Sequence, residues 1–135
     1  MLQKIYLKIF GPSGYFRVSN HLDRYYKSKS VLLNVNNLKN FDQSAKDRFS
    51  SLEKLVLLQF KRDTMITPRQ SAFFQKLDEK HNLVKMEDTE IYKNDLFGLK
   101  TLNEQGKINK FLIDEKHCYY SWEDINTYVI PFVIN

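Results

Sequence analysis

The stretch Leu55-Val56-Leu57-Leu58-Gln59-Phe60-Lys61-Arg62-Asp63 decides the fold. Its apolar residues run almost unbroken and without period-2 alternation, the pattern of a strand buried on both faces of a parallel sheet. It closes in a polar turn, Lys61-Arg62-Asp63-Thr64, with Pro68 soon after. Ile108 to Ile113 repeats the arrangement, with the run Phe111-Leu112-Ile113, a polar turn and then His117. In open α/β sheets the crevice outside the carboxyl ends of the strands is where ligands sit. The two runs therefore predict a carboxylate, Asp63, and an imidazole, His117, converging at one lip of a shared sheet. On spacing alone, an Asp after a strand also reads as a turn or cap residue, and a His as a structural one.

Outward from this pair, Asp42 or Ser44 can cap a helix running through about Lys54, with Phe49 and Leu52 on one face. After Pro68, the segment Gln70 to His81 reads as amphipathic, with Phe73, Phe74 and Leu77 on one side. Leu83 to Lys107 has a mixed pattern and predicts a long connection with short local structure, in which Gly98 and Gly106 mark turns. Ser121 with Asp124 makes a capping-box pattern for a last helix, whose Tyr128, Val129, Phe132 and Val133 can pack back on the sheet. The order helix, strand, helix, strand, helix argues for an α/β domain with parallel strands and flanking helices over residues 1–135.

The 135 residues are enough for one ordinary domain, and 42% hydrophobic content with ten Phe and eight Tyr predicts a packed core. Gly and Pro are too scarce for a turn-rich sandwich or barrel. The net charge of +5 reads as solubility, because Lys and Arg are interspersed with Asp and Glu, and no nucleic acid is expected as a partner. Cys118 excludes an intrachain disulfide because it is the only cysteine. It reads as a buried apolar thiol, since adjacency to His117 does not by itself make a thiolate–imidazole pair. No run approaches the roughly 18 apolar residues of a membrane span. Met1 to Lys8 has polar residues throughout and does not read as a signal peptide, so composition alone suggests the cytosol.

The amino-terminal third is less decisive. Leu2 to Phe10 alternates loosely and reads as a short strand or a helix end. Gly11-Pro12-Ser13-Gly14 is a turn without the lysine of a phosphate loop, and Tyr15 is too large for the last position of a nucleophile elbow, so Ser13 is set aside as a nucleophile. Tyr15 to Lys29 mixes aromatic and basic residues. Such a stretch can stack and neutralise nucleic acid, or it can be a surface segment with its rings turned inward. Val31-Leu32-Leu33 is a short apolar anchor, and Asn34 to Asn40 is loop-like.

Specific words of sequence go further. They are Ser30-Val31-Leu32-Leu33-Asn34-Val35-Asn36-Asn37, then Leu57-Leu58-Gln59-Phe60-Lys61-Arg62-Asp63-Thr64-Met65-Ile66-Thr67-Pro68, Ser71-Ala72-Phe73-Phe74 and, most specific, Thr89-Glu90-Ile91-Tyr92-Lys93-Asn94-Asp95-Leu96-Phe97-Gly98-Leu99-Lys100. With His117, Trp122 and Ile130-Pro131-Phe132, the chain resembles the carboxyl-terminal part of the palmitoyl-protein thioesterases, lysosomal α/β-hydrolases that remove fatty acyl groups from cysteine. The resemblance implies the carboxyl-terminal portion of an α/β-hydrolase fold with an incomplete sheet. It makes Asp63 the acid and His117 the general base of a Ser-Asp-His triad, with no cofactor and no metal. Met65, Ile66, Phe73 and Phe74 are candidates to line the acyl chain, although core packing is open to them too. The implied substrate is a palmitoylated protein or fatty acyl thioester, and the implied location lysosomal or secreted.

Three departures stand out. Glu115-Lys116 replaces the family's Gly-Asp before the histidine, Arg62 stands where the family has a glycosylated Asn, and Phe73 where it has Trp. The family's first strands, oxyanion hole and nucleophilic serine precede the matched segment and are not among these residues. The expectation is therefore half of an enzyme: a fragment, a relic, or the partner of a separate amino-terminal half. The alternative is a non-catalytic interaction module built on residues 15–29.

Overall fold

The computed structural model describes Arg17, Ser19 and residues 21–133. The reading of Leu2–Phe10 and the Gly11–Gly14 turn with Ser13 lie outside the described residues. In chain order the elements are α1 (Leu22–Tyr26), α2 (Val31–Val35), α3 (Gln43–Ser50), β1 (Leu55–Phe60), a 3-10 turn (Arg69–Phe73), β2 (Lys76–Leu77) and β3 (Leu83–Val84). A second 3-10 turn (Met86–Asp88), α4 (Glu90–Lys93), α5 (Leu99–Glu104), β4 (Ile108–Ile113), α6 (Trp122–Tyr128) and α7 (Ile130–Val133) complete it.

The two apolar runs do form a parallel ladder. β1 pairs with β4 from Leu55↔Ile108 to Phe60↔Ile113. The parallel arrangement requires a long crossover, and residues 61–107 supply it. The class is α/β, a parallel strand pair with flanking helices. The expectation of a strand buried on both faces does not hold for β1, where Leu55 to Leu58 are only half-buried and the buried residue is Gln59. Among the described residues β1 has one partner strand, so its apolar side chains lack the neighbours that bury a central strand.

The core lies beside the ladder. Met86, Tyr92, Phe97 and Leu99 form its centre, with Phe49, Leu55, Phe74, Ile91 and Ile108 packed against it. On the other side, the ring of Phe111 on β4 meets Tyr128 at 5.1 Å and Phe132 at 5.5 Å, so the last two helices do pack back on the strand. Val133 points outward and is exposed. The capping box at Ser121 and Asp124 is complete. Asp42 caps α3 by accepting from Ala45 N–H at 3.0 Å. That helix stops at Ser50, short of Lys54.

The amphipathic segment 70–81 is not a helix. It is the 3-10 turn followed by β2, which pairs antiparallel with β3. Asp78 is the cause. Its Oδ1 accepts from the N–H groups of Lys80 and Asn82, both at 2.8 Å, and its own N–H donates to Asn82 C=O at 2.9 Å. A carboxylate satisfying its own turn competes with helical hydrogen bonding. In the basic, aromatic stretch, the described residues Arg17 and Tyr25 face inward. The Arg17 guanidinium donates to Leu77 C=O at 2.9 Å and lies 6.0 Å from the Tyr25 ring, which is buried, while Tyr26 is partly exposed.

The connection 83–107 is more ordered than its mixed pattern suggests. Buried Thr89 caps α4 and donates its hydroxyl to Met86 C=O at 2.6 Å. Asp95 caps α5 from outside: Oδ1 accepts from Lys100 N–H at 3.0 Å and Thr101 N–H at 3.3 Å, while Oδ2 accepts from Thr101 Oγ1 at 2.6 Å and pairs with Lys46 at 3.1 Å. The N-cap itself is Gly98, at φ +97°. A Cβ there would collide with the Ser50 side chain of α3. Replacing Gly98 with Ala should therefore lower stability by at least about 1–3 kcal/mol, the scale of a strained backbone position. The midpoint of a denaturant titration checks it, and an unchanged midpoint contradicts the role.

Candidate active site

Each functional side chain sits on the short loop after its strand. Phe60 and Ile113 end β1 and β4 at the same level of the ladder, and Lys61 N–H continues it by donating to Ile113 C=O at 2.9 Å. Asp63 follows β1 by way of Lys61 and Arg62; His117 follows β4 by way of Asp114, Glu115 and Lys116. The two groups meet. His117 Nδ1 lies 2.8 Å from Asp63 Oδ2. A carboxylate can only accept, so Nδ1 carries the proton and donates it, and Nε2 of the neutral ring is left as the acceptor.

Asp63 is held from its other oxygen as well. Oδ1 accepts from Met65 N–H at 2.8 Å and Ile66 N–H at 3.1 Å. Its side chain is 8% exposed and that of His117 30%. Burial works against ionisation of Asp63, but the hydrogen bond from His117 and those from the Ile66 and Met65 backbone outweigh it and hold the carboxyl below the usual aspartate range. The substrate candidates therefore separate. Met65 and Ile66 are exposed beside the pair and touch it through their backbones. Phe73 is half-buried at the end of the 3-10 turn. Phe74 belongs to the core, with its ring 5.7 Å from that of Phe97.

Two features were not legible from the residues alone. Arg62 bridges the loops: its N–H donates to Glu115 C=O at 3.0 Å, its guanidinium donates to Asp114 C=O at 2.6 Å and pairs with the Glu115 carboxylate at 3.0 Å. The second is Cys118. It is exposed, which corrects the expectation of a buried thiol, and its Sγ lies 3.4 Å from His117 Nε2. His117 and Cys118 are the central residues of a turn closed by Tyr119 N–H on Lys116 C=O at 3.0 Å. Adjacency alone gave no sign of this, because neighbouring side chains usually diverge. No group of His, Cys, Asp and Glu suited to a metal occurs among the described residues.

The sequence profile of the palmitoyl protein thioesterases matches residues 1–117, ending on this histidine. The chain belongs to that family. It is 33% identical over 105 residues to palmitoyl-protein thioesterase 1 of Caenorhabditis elegans, which covers 76% of this chain and 35% of that protein. It is 32% identical over 110 residues to lysosomal thioesterase PPT2-B of Xenopus laevis, 80% of this chain and 38% of the relative. Lysosomal thioesterase PPT2 of Mus musculus is 33% identical over 101 residues, 73% of this chain and 33% of the relative. The chain thus spans about a third of the length of the curated relatives it matches. Among the described residues, no helix is long and apolar enough to cross a membrane.

The lowered pKa of Asp63 carries a sign. A carboxyl that titrates lower in the folded than the unfolded chain contributes stability in full above its unfolded value of about 3.9, and loses it as pH falls through the folded value. Asp63→Asn should remove this part of the acid sensitivity. Between about pH 5 and about pH 3, the denaturation midpoint of the variant should fall less than that of the parent chain. Equal falls would contradict the assignment.

Proposed function

We propose that this chain carries the acid and base of a thioesterase site that releases long-chain fatty acid from protein cysteine. The observation behind the reading is the 2.8 Å contact of Asp63 with His117 Nδ1 at the carboxyl ends of adjacent parallel strands. Asp63 fixes the tautomer and stabilises the imidazolium that forms during reaction. Nε2 takes the proton of a serine hydroxyl supplied from outside the described residues, as serine attacks the thioester carbonyl. The leaving cysteine sulfur regains that proton, and His117 then activates water to free the fatty acid. Backbone N–H donors for the oxyanion, worth about 3–4 kcal/mol when one is removed elsewhere, belong with the serine.

Acyl selectivity follows from area. Each methylene buried in an apolar groove contributes about 0.8 kcal/mol, and Met65 and Ile66, exposed beside Asp63, are the residues best placed to contribute. Phe73 is a second choice, and Phe74 is committed to the core. A palmitoylated protein or fatty acyl thioester is the substrate, the serine belongs to the part of the family fold outside residues 1–135, and the lysosome is the compartment that the relatives' names suggest.

The test joins the chain to an amino-terminal half of the family that carries the Gly-x-Ser-x-Gly serine. Hydrolysis of a palmitoyl thioester should appear on mixing and fall by about 10³–10⁴-fold with His117→Ala or Asp63→Asn. Activity that survives His117→Ala would rule the assignment out. The chain alone should take no serine-directed fluorophosphonate label, and labelling at Ser13 would restore that turn as a nucleophile.

A further inference from the structure

We propose that Cys118 is a second nucleophile served by the same His117–Asp63 pair, and that it accepts an acyl group from a thioester. The thiol is not isolated. Carboxylate, imidazole and sulfur stand in sequence: Asp63 Oδ2 is 2.8 Å from His117 Nδ1, and His117 Nε2 is 3.4 Å from Cys118 Sγ. This is the constellation that activates a cysteine, a base within reach of the thiol and a third group orienting the base. The tautomer is the correct one, because Nδ1–H is committed to Asp63 and the lone pair of Nε2 faces the sulfur. Cys118 is exposed, so an incoming carbonyl can reach it.

The step balances. Cys118 S–H gives its proton to His117 Nε2, and the thiolate forms a bond to the thioester carbonyl carbon. The tetrahedral intermediate collapses with loss of the original carbon–sulfur bond, and the departing thiolate takes the proton back from His117. One thioester replaces another, so no oxidant, reductant or activated donor is needed. The thioester as substrate class rests on the proposed function; activation of the thiol does not. The serine route and the cysteine route compete for one lone pair, because Nε2 can accept from only one of the two.

Cys118 is the only cysteine of the chain, so thiol chemistry reports on it alone. The full chain is treated with iodoacetamide near pH 6, native and unfolded in guanidinium, and separately with octanoyl-N-acetylcysteamine followed by intact-mass and peptide mapping. Native alkylation should be about ten-fold or more faster than in the unfolded chain, as for thiols beside an imidazole, and His117→Asn should remove the difference. One octanoyl group should appear at Cys118. Alkylation at the unfolded rate overturns the nucleophile, and the native-to-unfolded comparison decides this even where the variant fails to fold. Fast alkylation without acyl transfer overturns the thioester as its substrate. Neither result touches the serine-dependent hydrolysis, which is read as turnover in the mixed halves.

Discussion

The register of one parallel ladder decides where Asp63 and His117 meet. β1 and β4 end level at Phe60 and Ile113, and the loops that follow are too short to wander. A slip of one residue would turn every side chain of a strand to the opposite face and carry Asp63 away from His117. The ladder is extended past its formal end by Lys61 N–H on Ile113 C=O, and the loops are then tied by Arg62. A hydrogen bond of 2.8 Å between two loop residues is possible because neither loop is free to choose its position.

Arg62 ties the loop after β1 to the loop after β4. Its guanidinium pairs with the Glu115 carboxylate at 3.0 Å. The ion pair is half exposed and by itself worth at most about 1 kcal/mol. The backbone bonds it accompanies, Arg62 N–H to Glu115 C=O and the guanidinium to Asp114 C=O, orient the loop that carries His117.

The segment Thr89 to Lys100 is architectural. Thr89 and Asp95 satisfy the free N–H groups at the starts of two short helices, and Gly98 lets α5 begin against Ser50. Helices of this length are too short to be stable without caps and tertiary contacts. Their completed caps let Leu99 and Leu102 be fully buried and Phe97 meet Phe49 edge to face, with ring centroids 5.0 Å apart. That core supports the strand pair from one side.

Local pattern determined much by itself. The unbroken apolar runs specified both strands, Ser121 with Asp124 specified the start of α6, and the polar turns placed Asp63 and His117 just beyond the strand ends. These features depend on neighbours along the chain, which the residues display directly. Tertiary structure decided the rest. Half-burial of β1 depends on how many strands lie beside it, and the hairpin at 76–84 depends on a carboxylate outcompeting an amphipathic pattern. The bridge of Arg62 and the approach of Cys118 Sγ to Nε2 depend on loop paths in three dimensions. Hydrogen bonds and thiol–imidazole contacts are set within a few tenths of an ångström, a precision that periodicity and residue type do not encode.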